Sequence, residues 1–167
     1  MLDLRNVPSF EWVKERWLEI YKDEGIPQEY KQLLGIVMLT GVRISEALNL
    51  KTEDVDLERR VIRIRQLKKR KIQFREVPIP ETLADVLEDF QGFEFSRRHA
   101  YHIIKKYTGY NPHAFRHSFA MAILKETRNM EYARRLLGHS NYNTLRHYLD
   151  FTIEDIREDV EKVYGYD

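Results

Sequence analysis

Val61-Ile62-Arg63-Ile64-Arg65-Gln66-Leu67 sets apolar side chains against basic and polar ones. That period of two marks a half-buried strand. Ile72–Ile79 resembles its return strand, which places a hairpin tip near Lys68–Lys71. Outside this region the apolar residues recur at helical spacing. The chain therefore reads as mostly α with a small antiparallel β-sheet, an α+β class with three strands at most.

On the N-terminal side, Ser9 is placed to cap a helix carrying Phe10, Val13, Trp17 and Ile20. Asp23–Pro27 breaks it. A second helix is predicted from Gln28 to Thr40, stopped by Gly41 as a left-handed cap, and a short one over Ile44–Leu50. On the C-terminal side, Pro80–Glu81 opens a helix to about Phe90. Ser96 caps one that ends at Gly109. Asn111–Pro112 opens a long helix to Thr127, with proline at its favoured first position. Further helices are predicted over Met130–Leu137, about Asn143–Leu149, and about Ile153–Val163. Gly138 reads as the turn after the first of these.

The chain has 167 residues, of which 43% are hydrophobic and 33% charged. That describes a folded soluble protein with one main domain. The longest apolar run, Ile36–Leu39, is far too short to cross a bilayer, and no secretory leader is visible. The expectation is a cytoplasmic protein with no membrane. There is no cysteine. This excludes disulfide scaffolds, thiolate metal sites and cysteine nucleophiles. No cluster with metal-ligand spacing stands out, so no metal is expected.

The formal net charge is only +1, but its placement is uneven. Residues 1–30 carry seven acids and four bases, and residues 150–167 carry seven acids and two bases. Arg59–Arg75 carries nine bases and no acid. Arg97–Tyr148 carries ten bases, two acids and all six histidines. A positive middle framed by negative ends is the footprint of a polyanion site.

Three short stretches bear chemistry. His113 and Arg116 open the long helix three residues apart, hence on one face. A helix N-terminus also favours an anion. Leu137-Gly138-His139-Ser140 projects a histidine from a turn, and Tyr148 follows nine residues later. Thr40-Gly41-Val42-Arg43-Ile44-Ser45-Glu46 sets an arginine just after a helix stop, with Glu46 three residues on to steer it. Taken singly, each stretch is equally compatible with ordinary surface or core residues.

Taken together and in order, they strongly resemble the catalytic domain of the tyrosine recombinases, the phage-integrase and Xer-like family. The resemblance rests on Thr40–Leu48, on the basic hairpin ending Val77-Pro78-Ile79-Pro80, on His113-Ala-Phe-Arg-His-Ser-Phe-Ala120, on Leu137–Ser140 and on Tyr148. It covers about residues 28–151. It implies the recombinase catalytic-domain fold there, with a lead-in helix over residues 1–27 and an acidic C-terminal helix over residues 152–167 that docks on its own domain or on a neighbour.

The same resemblance implies roles. Arg43, His113, Arg116 and His139 match the family's phosphate-handling residues, Glu46 its supporting acid, and Tyr148 its nucleophile. Counting forward from Ile62–Ile64–Gln66 puts the hairpin lysine, the general acid, at Lys68. Counting backward from Val77–Pro78 lands nearer Arg70. Lys68 is the assignment, with Lys69 and Lys71 as rivals, while Arg63, Arg65, Lys69, Arg70 and Lys71 are expected to contact DNA. The implied activity is site-specific DNA recombination, by an integrase or a resolvase, through a 3′-phosphotyrosyl intermediate without metal, ATP or other cofactor. The implied partners are double-stranded DNA and further copies of the chain, as a tetramer on DNA. Family members usually carry a separate DNA-clamping domain ahead of this one, so the chain by itself is expected to bind DNA weakly. The competing readings are a DNA-binding protein of the same fold without chemistry, and a ribonuclease using His113 and His139.

Overall fold

The computed structural model describes residues 6–138 and 153–165. The elements run α1 (Phe10–Lys22), α2 (Gln28–Thr40), α3 (Ile44–Leu48), β1 (Val55–Asp56), β2 (Val61–Lys68), β3 (Lys71–Pro78), α4 (Glu81–Val86), α5 (Arg97–Thr108), α6 (Pro112–Thr127), α7 (Met130–Leu137) and α8 (Ile153–Tyr164). A single 3₁₀ turn, Thr52–Asp54, precedes β1. The predicted helix over Asn143–Leu149 lies outside the described residues. Among the described residues no helix is long and apolar enough to cross a membrane.

The helix caps follow from the sequence. Ser9 Oγ accepts the Trp12 amide at 3.2 Å, Ser96 Oγ that of His99 at 3.0 Å, and Asn111 Oδ1 that of Ala114 at 3.0 Å. Each satisfies an amide that the first turn leaves without an intrahelical partner, worth about 1 kcal/mol.

The core is organised around α2. Every residue from Lys31 to Thr40 is buried, as expected of a helix apolar on all sides. α1, α4, α5 and α6 pack around it. Val13, Trp17 and Ile20 of α1 enter the same core as Ile36, Phe115 and Leu137. Burying such side chains contributes roughly 1.5–3 kcal/mol each. The polar members of α2 are paired: Lys31 Nζ donates to the Tyr21 carbonyl at 2.9 Å, and Gln32 Nε2 to Asp89 Oδ1 at 2.9 Å.

Two predicted helices are shorter in the structure, α3 ending at Leu48 rather than Leu50. α4 stops at Val86 rather than near Phe90. The Val86 carbonyl, which a longer helix would need for the Phe90 amide, accepts Gln28 Nε2 and Gln32 Nε2, each at 3.0 Å. The Phe90 amide turns instead to the Leu87 carbonyl at 3.1 Å.

The three strands form one antiparallel sheet in the order β1-β2-β3. Ile62, Ile64, Arg75 and Val77 face inward and are buried, while Arg63, Ile72, Phe74 and Glu76 face out. Lys68 pairs with Lys71, which leaves Lys69 and Arg70 as a two-residue turn. Both have positive φ, 49° and 65°. Such turns match strand twist but favour Asn-Gly.

Candidate active site

Gly41 ends α2 with φ 69°. A Cβ there would come within 2.5 Å of Phe119 Cδ1 and 3.0 Å of Leu137 Cδ2. Glycine is thus required both by the backbone angle and by the approach of α6 and α7. At this junction Arg116, only 4% exposed, donates to the carbonyls of Gly41 and, at 2.7 Å, of Leu137. Two fixed main-chain acceptors orient its guanidinium fork.

Two residues beyond Gly41, Arg43 caps α3. Its amide donates to Glu46 Oε1 at 2.8 Å, and its guanidinium lies 3.5 Å from Glu46 Oε2. The Arg43 side chain is 41% exposed. It lines an open cleft of about 410 Å³ with Val42, Ser45, Arg97, Tyr101 and His113.

His113 stands one turn ahead of Arg116 on α6, exposed at that cleft, its ring centroid 4.4 Å from that of His117 in an edge-to-face contact. Desolvation first, then the charges of Arg116 and Arg43, hold its pKa below the ordinary imidazole value. At neutral pH the ring is therefore uncharged and can accept a proton. The structure thus brings Arg43, at the start of α3, near His113 and Arg116 on α6, two segments far apart in sequence.

Glu46 holds Arg43, as its spacing suggests, and has a second and closer partner in Arg75, which donates Nη1 to Oε2 at 2.8 Å and Nη2 to Oε1 at 2.9 Å. The Glu46 and Arg75 side chains are both buried. Burial pushes the Glu46 carboxyl up. The hydrogen bonds and charge of Arg75, with those of Arg43, outweigh it and leave the pKa below the usual carboxylate value.

Arg75 and Gln66 are the site-adjacent residues that sequence reading missed. A signal existed: period two puts both on the inward face with Ile64 and Val77, and a buried polar group there demands a partner.

Arg63 and Arg65, expected at DNA, each pair with a carboxylate. Asp54, whose side chain is fully buried, accepts Arg63 Nε at 3.4 Å and Arg65 Nη2 at 3.1 Å. The Arg63 guanidinium also lies 4.6 Å from the Phe74 ring centroid. Lys69 and Arg70 are exposed at the turn, and Lys71 is exposed beside it. Lys68 occupies the last position of β2. His139 and Tyr148 lie outside the described residues; Gly138, immediately before His139, is the left-handed cap of α7.

A model of the phage integrase family matches residues 13–106 and 91–154. The tyrosine recombinase XerA of Thermococcus kodakarensis is 34% identical over 163 residues, covering 82% of this chain and 57% of that protein. XerA of Pyrococcus horikoshii is 30% identical over 169 residues, covering 86% and 59%. The chain thus spans little more than half the length of these curated relatives. Among solved structures, a XerA recombinase matches with a TM-score of 0.70 at 22% identity, over 92% of this chain and 65% of that one. A XerH site-specific recombinase bound to its palindromic difH substrate, after cleavage, matches with a TM-score of 0.77 at 21% identity, over 95% and 53%. The likeness to these structures is one of fold, and the family model carries the assignment: this chain belongs to the phage integrase family, the tyrosine recombinases.

Proposed function

We propose that the chain is the catalytic part of a site-specific DNA recombinase, an integrase or a resolvase, that cuts and rejoins double-stranded DNA. The observation that supports this most is that Arg43 and His113 line one cleft, with the buried Arg116 close enough for its charge to act on His113. Phosphodiester transfer needs negative charge stabilised on the non-bridging oxygens, and two guanidinium groups supply this as charge builds in the transition state.

Tyr148 is the nucleophile. Its hydroxyl, with an ordinary pKa of about 10, requires a base or a strongly cationic setting. Uncharged His113 takes or relays that proton, and His139 donates a hydrogen bond to the phosphate. The Tyr148 oxygen bonds to phosphorus and the bond to the 5′ oxygen breaks. Lys68 supplies the proton that completes the 5′ hydroxyl, while Lys69, Arg70 and Lys71 contact the backbone beside it. The product is a 3′-phosphotyrosyl linkage. Attack by another 5′ hydroxyl reverses the step on a new strand and needs no added energy source.

Exchange between two duplexes calls for several copies acting together, a tetramer on DNA. The exposed Val160 and Val163 of α8 suit contact with a neighbouring protomer. The site of action is the DNA of the cell interior.

A nicked suicide duplex, selected from a randomised pool by covalent capture on the wild-type chain, tests the proposal. The expected outcome is protein attached to the 3′ end without added metal, and complete loss of attachment in Tyr148→Phe. An adduct that persists in Tyr148→Phe, or DNA binding with no adduct at all, refutes it. The latter result is the signature of a non-catalytic DNA-binding protein.

A further inference from the structure

Three consecutive carbonyls close α7, and each is held by a side chain from elsewhere. Arg75 Nε of β3 donates to the Leu136 carbonyl at 2.8 Å. Arg116 Nη2 of α6 donates to that of Leu137 at 2.7 Å, and Gln66 Nε2 of β2 to that of Gly138 at 2.8 Å. Arg75 and Gln66 are also bonded to each other, Nη1 to Oε1, at 3.1 Å. The last carbonyls of a helix have no intrahelical donor and carry partial negative charge, so cationic and amide donors fit there.

Gly138 presses directly on this pair. A Cβ at residue 138 would meet Gln66 Oε1, and would come within 2.6 Å of Arg75 Nη1. The next residue in the chain is His139.

The other edge of Arg75 grips Glu46 with two parallel bonds, and Glu46 holds the Arg43 amide. One 9%-exposed guanidinium therefore touches the hairpin, the start of α3 and the end of α7. Planar two-point pairing fixes orientation as well as distance. Replacing a buried ion pair by apolar residues of similar volume often leaves stability unchanged or higher. Stability alone is therefore a poor reason for an ion pair at this junction.

We propose that Arg75 and Gln66 are positioning residues: they lock the hairpin to the Leu136–Gly138 turn and to Glu46, and so set where Arg43 meets the phosphate. This rests on the recombinase reading above. The two residues act through their neighbours and touch no reacting atom.

The test uses the whole chain and the captured suicide duplex, with Arg75→Lys, Gln66→Met and the double variant. Arg75→Lys keeps the charge but cannot span Glu46 and the Leu136 carbonyl together. Gln66→Met keeps the volume and removes both amide bonds.

A displacement of this kind slows chemistry by up to about 100-fold. The expected result is a single-turnover rate at saturating DNA about 100-fold lower in Arg75→Lys and about 10-fold lower in Gln66→Met. The DNA dissociation constant and melting temperature of Gln66→Met stay at wild-type values. The double variant loses less than the product of the two, since both act on one turn.

Wild-type rates in both single variants overturn the inference alone. So does a parallel fall of rate, affinity and melting temperature in both, which is the mark of a merely structural role. Failure of the wild-type chain to capture any duplex, or attachment that survives Tyr148→Phe, overturns the recombinase reading and this inference with it.

Discussion

The two halves of the hairpin obey different rules. At its base Ile62, Ile64 and Val77 are in the core, and Gln66 and Arg75 are bonded into the end of α7. At its tip Ile72 is 66% exposed, and Lys69 and Arg70 take left-handed backbone angles that bulky residues adopt at a cost of roughly 1–2 kcal/mol each. The base is built for fixed geometry. The tip places cations where a turn of minimum energy would have Asn-Gly. The lesson is that one strand pair can hold a rigid reference point and a reaching arm a few residues apart, and the fixed end is what gives the reach a direction.

The comparison breaks most clearly at Lys68. In the captured suicide duplex, Lys68→Ala is expected to slow attachment by about 100- to 10,000-fold, the usual range for loss of a general acid. A 5′-thiol leaving group, which needs no acid, should restore it. Lys69→Ala and Lys71→Ala should keep most of the rate. Rescue of either of those instead would move the acid along the tip.

Glu46→Ala is the corresponding attack on the base. It leaves the buried Arg75 charge unpaired, and the expected loss is about 3–5 kcal/mol in denaturant unfolding. The same pair has a pH signature. The folded Glu46 pKa lies below its unfolded value, so the pair's contribution is complete above about pH 4.3. It is lost as pH falls through the lower folded value. Glu46→Gln should flatten that part of the melting-temperature profile.

The smallest effect belongs to the tip itself. Replacing Lys69-Arg70 by Asn-Gly relieves two left-handed positions and should raise stability by about 2–4 kcal/mol, read by denaturant unfolding. DNA affinity should fall at the same time. A stabilised hairpin with unchanged DNA binding would mean the tip carries no contact worth its strain.

Much of this was legible in the sequence. Ser9, Ser96, Gly109 and Asn111–Pro112 announce helix ends because capping is a local matter, settled within four residues. Arg43, His113 and Arg116 were singled out only through the resemblance to the tyrosine recombinases, since each stretch alone reads as ordinary surface or core. The end of α4 was not legible, because the donors that take the Val86 carbonyl come from α2, more than fifty residues earlier. Nor was the second partner of Glu46. An acid three residues from an arginine on a short helix invites a local pairing, and only the packing of β3 against α3 and α7 brings Arg75 closer. Arg63 and Arg65 looked like free cations because the acid that holds them, Asp54, belongs to a polar turn with no periodic signal.

The densest basic run of the chain is thereby less available than its composition suggests. Of nine bases between residues 59 and 75, four are paired with carboxylates: Arg59 with Glu76, Arg63 and Arg65 with Asp54, and Arg75 with Glu46. Each arginine that keeps its carboxylate expels no counterion from a duplex, and takes about 0.9 off the slope of log affinity against log ionic strength. On the proposed function the attraction is gathered at the turn, so the hairpin would meet a polyanion as a point rather than as a plane.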